Sequence, residues 1–283
     1  MEKTFAILGG DKRQLALLEQ LKEKGHKVHL YGFNNKETEE DLNSVLSLSE
    51  FIVFPVPISK NKKDLYAPFS ARSIPLVEIT KNKNLKNKII FTPGINKDEI
   101  NYLALKKENK IFKYCTEEFL AENAKLTAKA TLKIIKENLK GKLKNKRTLI
   151  CGFGRLGKSL SKILKKEFLD LTVSARKDLD FKEIEKLSLK HIKTNEIKEQ
   201  SNYDLIINTI PALIFDEFTL KTTAKNSLLI DLASNPGGVD KIAANKLKIN
   251  HIHALGLPGR FFPEESAKII KNSILKNIAL FEN

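Results

Sequence analysis

The sequence predicts an α/β protein of two Rossmann-like parallel-sheet domains, with an interdomain cleft and crossing helices. Three observations predict it. Short β-prone apolar runs alternate with helix-forming stretches along the chain, as they do in parallel sheets joined by crossover helices. A length of 283 residues suits two medium domains. Gly152-Phe153-Gly154-Arg155-Leu156-Gly157 follows an apolar run and precedes a helix-forming stretch, the context that makes G-x-G-x-x-G credible as a dinucleotide motif.

The elements follow in order. Thr4–Leu8 is β-prone and opens the chain, and a helix follows with Leu15, Leu18 and Leu21 on one face. Strands are expected at Lys27–Tyr31, Phe51–Phe54, Ile89–Phe91 and Ile111–Tyr114, with a helix from Asn96 to Asn109. Thr116 to Leu139 repeats Phe119, Leu126, Ala130 and Ile134 at helical spacing. Gly141 to Lys146 reads as a linker. The N-terminal substrate domain is therefore 1–145 and the dinucleotide domain 146–263. In the second domain strands are expected at 148–151, 171–175, 191–193, 203–208, 227–231 and 250–254. A last helix over 264–283 is expected to pack back on the first domain.

Each motif glycine has a job. Gly152 permits the tight turn, Gly154 lets a pyrophosphate approach the backbone, and Gly157 lets the helix pack closely on the strand. The helix start offers unpaired N–H groups and a partial positive charge to the phosphates. Phe153, Arg155 and Leu156 complete the cradle. The second strand of the unit ends at Ser174-Ala175-Arg176-Lys177, with no carboxylate before Asp178. An acidic residue here holds the ribose hydroxyl of NAD, whereas an Arg suits the 2′-phosphate of NADP. NADP is therefore expected, with Ser174, Arg176 and Lys177 around the phosphate. Arg176 as an ordinary surface residue of a lysine-rich chain is the alternative.

The opening Gly9-Gly10-Asp11-Lys12-Arg13-Gln14 imitates such a turn but has a carboxylate in it and no third glycine. That points to a substrate domain and not to a second dinucleotide site. Composition bounds the remaining classes. The formal charge is +16, yet only six of the 50 basic residues are Arg and there is no Trp. The lysines are scattered with no basic stripe interleaved with aromatics, which argues against a nucleic-acid binder. No apolar run approaches the ~20 residues of a membrane span, and the opening residues lack a signal-peptide pattern, so a cytoplasmic protein is expected. Two cysteines, Cys115 and Cys151, give neither a disulfide framework nor a metal spacing.

Ligands of open α/β sheets sit beyond the carboxyl ends of the strands. Five strand exits carry turn-forming clusters there. They are Pro55-Val56-Pro57, Thr92-Pro93-Gly94, Asn208-Thr209-Ile210-Pro211, Asp231-Leu232-Ala233-Ser234-Asn235-Pro236-Gly237-Gly238 and Gly256-Leu257-Pro258-Gly259-Arg260. Asn208, Thr209, Ile210, Pro211, Leu232 and Ala233 are expected on the cofactor. Gly10, Pro55, Pro57, Thr92, Gly94, Gly259 and Arg260 are expected on the substrate.

These motifs, in this order, resemble those of the dipicolinate synthase family, specifically its A subunits, over almost the whole chain. The architecture also resembles that of alanine and D-2-hydroxyacid dehydrogenases. The resemblance implies a mother-cell enzyme of a sporulating bacterium that oxidises a dihydrodipicolinate-type precursor to pyridine-2,6-dicarboxylate with NADP. It also implies a flavoprotein-like partner, the B subunit of the synthase; a homo-oligomer is expected too. Two segments depart from the family pattern. Leu126, Lys129 and Ala130 replace Pro, Glu and Gly, and bulky Phe261-Phe262 follows Arg260.

A dicarboxylate needs cationic clamps, and Arg13 and Arg260 are the arginines at such loops outside the glycine motif. Asp11 and Arg13 are the candidate catalytic pair. For Asp11, an acid/base role and a helix N-cap both stand. A related amino- or hydroxy-acid dehydrogenase and a non-catalytic NADP-binding protein are the alternative functions.

Overall fold

The computed structural model describes residues 1–33, 41–94 and 109–282. The described chain forms two compact units, Met1–Glu122 with Gly259–Asn283, and Asn123–Pro258. The expected helix from Asn96 to Asn109 falls almost entirely outside the described residues.

The first unit is built on a five-stranded sheet. Its strands are β1 (Thr4–Leu8), β2 (Lys27–Tyr31), β3 (Phe51–Val53), β4 (Ile89–Thr92) and β5 (Lys110–Lys113), in the order β2-β1-β3-β4-β5. Every pairing is parallel. β1 and β3 are buried runs of Phe, Ala, Ile, Leu and Val, as a sheet covered on both faces requires. Helix α1 (Lys12–Lys22) and the C-terminal helix pack together on one face. Phe5, Ile7, Leu17, Leu21, Ile270 and Ile274 form that core layer. Short helices α2 (Leu42–Leu48) and α3 (Leu76–Thr80) pack their buried leucines on the other face, against Ala6, Ile52 and Ile90. A long helix, α4 (Glu117–Asn138), leads out of this unit.

The second unit has six parallel strands: β6 (Arg147–Cys151), β7 (Asp170–Ala175), β8 (Lys190–Lys193), β9 (Leu205–Asn208), β10 (Leu228–Asp231) and β11 (Asn250–His253). Their order is β11-β10-β9-β6-β7-β8 and every pairing is parallel. The order reverses between β9 and β6, so the switch point lies at the carboxyl ends of β6 and β9, where doubly wound sheets bind ligands. The crossover helices are α5 (Arg155–Leu164), α6 (Asp178–Lys186), α7 (Glu217–Thr223) and α8 (Lys241–Lys246), followed by α9 (Leu257–Phe261) and α10 (Pro263–Glu282). Ile206, Leu220, Leu229 and Ala243 are among the residues that fill the layer beneath one face. The expected linker contains a 3-10 turn at Leu143–Asn145.

Strand positions agree with the sequence reading to within one or two residues. The two Rossmann-like parallel sheets are therefore the observed fold class.

Candidate functional site

Glycine contacts shape the turn after β6. Gly152 has φ of +98°, and a Cβ there would lie 2.6 Å from the Thr209 hydroxyl. At Gly157 a Cβ would lie 2.0 Å from the Gly152 carbonyl oxygen. No side chain fits, so the absence of one is what lets α5 lie against the strand exit. Gly154 differs: a Cβ there would meet no atom of the described residues within 4 Å. It is the N-cap of α5, with extended backbone and no capping side chain. The first N–H groups of the helix thus lack a side-chain acceptor from the cap.

Gly154 opens on a cavity of about 750 Å³. Phe153, Arg155 and Leu156 line it from the turn, Arg176 and Lys177 from the end of β7, and Thr209, Ile210 and Pro211 from the end of β9. Gly152 also contributes, and Gly157 is buried beneath. Four other expected cofactor residues, Ser174, Asn208, Leu232 and Ala233, do not line the cavity. The Ser174 side chain accepts the Gly152 N–H at 3.1 Å. Asn208 Nδ2 donates to Asp231 Oδ1 at 2.9 Å, and its Oδ1 accepts the Ile210 N–H at 3.1 Å. Leu232 and Ala233 are buried, and the Ala233 N–H donates to Asp231 Oδ1 at 3.1 Å. Asp231 also accepts the Gly238 N–H at 2.9 Å. This fully buried carboxylate therefore ties the β9 and β10 exits together.

Sequence reasoning missed Lys158, Ala175, Asp180, Thr194 and Ala212 on the cavity wall. Thr194 follows the weak β8, where the same strand-exit argument would have found it. Lys158 donates to Glu183 at 2.7 Å, and its ammonium lies 5.2 Å from the centre of the Phe153 ring. Among the described residues, Asp180 is the one carboxylate on a wall that carries Arg155, Lys158, Arg176 and Lys177.

The first unit carries a second polar cluster at the β1 exit. Asp11 is the N-cap of α1 in a full capping box, its own N–H donating to Gln14 Oε1 at 3.0 Å. Arg13 grips Asp11 with both arms of its fork, Nε to Oδ1 and Nη2 to Oδ2, each at 2.8 Å. Nη2 also donates to the Val56 carbonyl. The Tyr66 hydroxyl lies 3.5 Å from Asp11 Oδ2. Gly10 donates its N–H to the Tyr66 carbonyl at 2.7 Å. Gly259 lies against the pair: a Cβ there would meet Arg13 Nε at 2.8 Å and Asp11 Oδ2 at 3.1 Å. Two motifs about 250 residues apart in sequence thus interlock.

Burial pushes the Asp11 carboxyl up, but the hydrogen bonds and charge of Arg13 outweigh it and hold its pKa below the ordinary value. Burial and then the Asp11 charge raise the Tyr66 hydroxyl, which therefore stays protonated at neutral pH. Arg13 is only 8% exposed. Arg260 is exposed, its guanidinium 5.6 Å from the Phe261 ring centre. Pro55 and Thr92 are buried, Pro57 is exposed, and Gly94 is half-buried beside Lys113. Val56 lies in the Pro55-Val56-Pro57 strand exit singled out from the sequence, whereas Tyr66 had no sequence signal, because it reaches the cluster from irregular chain.

Residues 4–115 match the family model for the N-terminal domain of the dipicolinate synthase A subunit. The dipicolinate synthase A subunit from Bacillus subtilis (strain 168) is 26% identical over 284 residues, covering 97% of this chain and 95% of its own. Residues 4–115 thus match that family's N-terminal domain, and the chain as a whole is similar to the dipicolinate synthase A subunit. A crystal structure of the Bacillus subtilis dipicolinate synthase A chain superposes with a TM-score of 0.84 at 25% identity, covering 100% of this chain and 97% of that one. The apo-structure of D-lactate dehydrogenase from Escherichia coli shares the fold, with a TM-score of 0.60 at 15% identity, over 99% of this chain and 96% of that one. The α/β fold shared with these structures agrees with the sequence reading.

Two outcomes are expected of these contacts. Gly157→Ala forces a methyl group into a backbone carbonyl and should cost about 1–3 kcal/mol of stability, the usual range for overpacking. Gly154→Ala meets no clash and should lower the melting temperature less than Gly157→Ala does, by no more than the N-cap preference for glycine over alanine. Equal melting temperatures for the two variants would contradict the packing described. Asp11 has a depressed pKa, so its stabilisation is present above the ordinary carboxylate pKa and is lost as pH falls through the lowered one. Asp11→Asn keeps a capping side chain but leaves the buried Arg13 unpaired, at a cost of about 1–3 kcal/mol. The urea midpoints of wild type and variant should differ at neutral pH and converge as pH falls through the lowered Asp11 pKa. A pH-independent difference would refute the ion pair.

Proposed function

We propose that the chain is an NADP-dependent oxidoreductase that converts a dihydrodipicolinate-type precursor to pyridine-2,6-dicarboxylate. One observation carries the reading. Gly154 lacks any described neighbour on its Cβ side and faces a basic cavity at the start of α5, the arrangement a pyrophosphate needs. The cavity suits a dinucleotide in chemistry as well. Helix N–H groups and Arg155 would take the pyrophosphate, and Arg176 and Lys177 at the β7 exit would take a 2′-phosphate. NADP bound there would supply the hydride acceptor. The family name of the relatives supports the product.

The first unit is the substrate domain in this reading. Asp11 holds the Arg13 fork in one orientation, and the Arg13 guanidinium supplies the positive charge that holds a substrate carboxylate. Gly10, Pro55, Pro57, Thr92 and Gly94 belong to strand ends and loops of the same unit, whereas Gly259 and Arg260, expected in a strand-exit loop, lie within that unit in the short helix α9. Aromatisation of the ring supplies the driving force, so the protein's task is chiefly positioning. The ionised Asp11 acts through Arg13, and as a base it is weakened by its low pKa. The Bacillus subtilis relative is named for one component of a synthase, which supports a second polypeptide as partner. No described helix is long and apolar enough to cross a membrane.

The deciding experiment mixes the purified chain with the dihydrodipicolinate precursor and NADP, with and without a candidate flavoprotein-like partner. NADPH and the pyridine dicarboxylate should rise together. Nucleotide binding without turnover in both arms would favour a non-catalytic role, and turnover of another amino or hydroxy acid would favour a related dehydrogenase. In the same assay Arg13→Ala should raise the apparent KM at least tenfold while the NADP dissociation constant stays the same. An unchanged KM would remove Arg13 from the substrate site. Arg176→Asp should weaken NADP about tenfold to a hundredfold relative to NAD, since a charge-assisted bond is worth about 1.5–3 kcal/mol. Wild-type protein that binds NAD as tightly as NADP would overturn the cofactor assignment.

A further inference from the structure

We propose that the second unit has a separate anion site, at the opposite edge of the sheet from the nucleotide cavity. It would take a small, multiply charged phosphate or carboxylate compound. A cavity of about 290 Å³ opens beneath the amino ends of β6, β9, β10 and β11, whereas the nucleotide cavity lies at the carboxyl ends of β6, β7 and β9. The four strands are consecutive neighbours in the order β11-β10-β9-β6, so the turns that enter them converge.

Those turns bring lysines together. Lys140 follows α4, Lys146 precedes β6, Lys225 lies before β10 and Lys248 before β11, and all four line the cavity. Among the described residues, Asp204 is the only acidic one on its wall. That carboxylate is already neutralised: Lys146 donates to Oδ1 and the Arg147 N–H to Oδ2, each at 2.9 Å. Among the described residues, no carboxylate pairs with the ammonium groups of Lys140, Lys225 or Lys248.

Like charges gathered in one depression repel one another, and a polyanion would relieve that repulsion. The lining adds side-chain amides from Asn138, Asn226 and Asn250, which can donate to phosphate or carboxylate oxygens. Lysine acts as a point charge and not as a planar fork, so the site reads charge and size more than the shape of one acid. It involves none of the residues assigned above to NADP or substrate. Occupancy would leave the nucleotide cavity accessible.

Calorimetric titration at constant ionic strength tests this, with inorganic pyrophosphate in one arm and citrate in the other. Wild-type protein should show saturable binding, and the tighter arm names the chemical source. Lys225→Gln/Lys248→Gln should weaken it at least tenfold and leave NADP affinity unchanged. Both side chains are exposed, so the variant should fold, as circular dichroism would verify. A control, Arg155→Gln/Arg176→Gln, removes the phosphate-facing cations of the nucleotide cavity and should keep the binding. Loss in that control instead would assign the anion to the nucleotide cavity and overturn the proposal. So would the absence of saturable binding to either probe, or equal affinity in the Lys225/Lys248 variant.

Discussion

Parallel pairing governs both units. A parallel strand cannot return through a tight hairpin, so each strand is followed by a crossover, and all carboxyl ends fall along one edge of each sheet. In the second unit that edge brings the turns after β6, β7 and β9 around a single cavity. In the first it brings the turn after β1 and the loop after β3 together at Asp11, Arg13 and Val56. Residues with no closeness in sequence become neighbours because their strands run in the same direction.

Two carboxylates, Asp231 fully buried and Asp11 partly buried, then hold these edges. Asp231 accepts from the Asn208 side chain and from the backbone N–H groups of Ala233 and Gly238. Asp11 caps α1 and pairs with Arg13. Burial of an unpaired charge is strongly unfavourable, so each acid fixes the groups that compensate it. Loops that would otherwise be adaptable are given one arrangement. The small residues complement this, since Gly157 and Gly259 fill gaps that no side chain could enter.

Much of this was legible in the sequence for physical reasons that can be named. β-branched and aromatic runs such as Thr148–Cys151 and Ile89–Phe91 have few alternatives to a buried strand. The glycine motif was legible because its context was complete, from β6 through α5. Helices α2 and α3 were missed: at seven and five residues they are too short for helical periodicity to show. Tyr66 was missed because it reaches the Asp11 cluster from irregular chain. Asp180 was missed because the reading of the second strand stopped at the first residues past its end. The Lys140, Lys225 and Lys248 grouping was hidden by the abundance of lysine elsewhere in the chain.

The discontinuity of the first unit has a consequence for biosynthesis. Its core includes Ile270, Ile274 and Ile278 of α10, packed with Leu17 and Leu21 of α1. Those isoleucines leave the ribosome after every residue of the second unit. Domains of a growing chain commonly fold from the N-terminal end, but here the first-translated segment waits for the last. Residues 123–258 emerge complete and can fold while the N-terminal sheet still exposes the surface that α10 will cover. During that interval the nascent N-terminal half carries an apolar face that α10 covers in the finished fold.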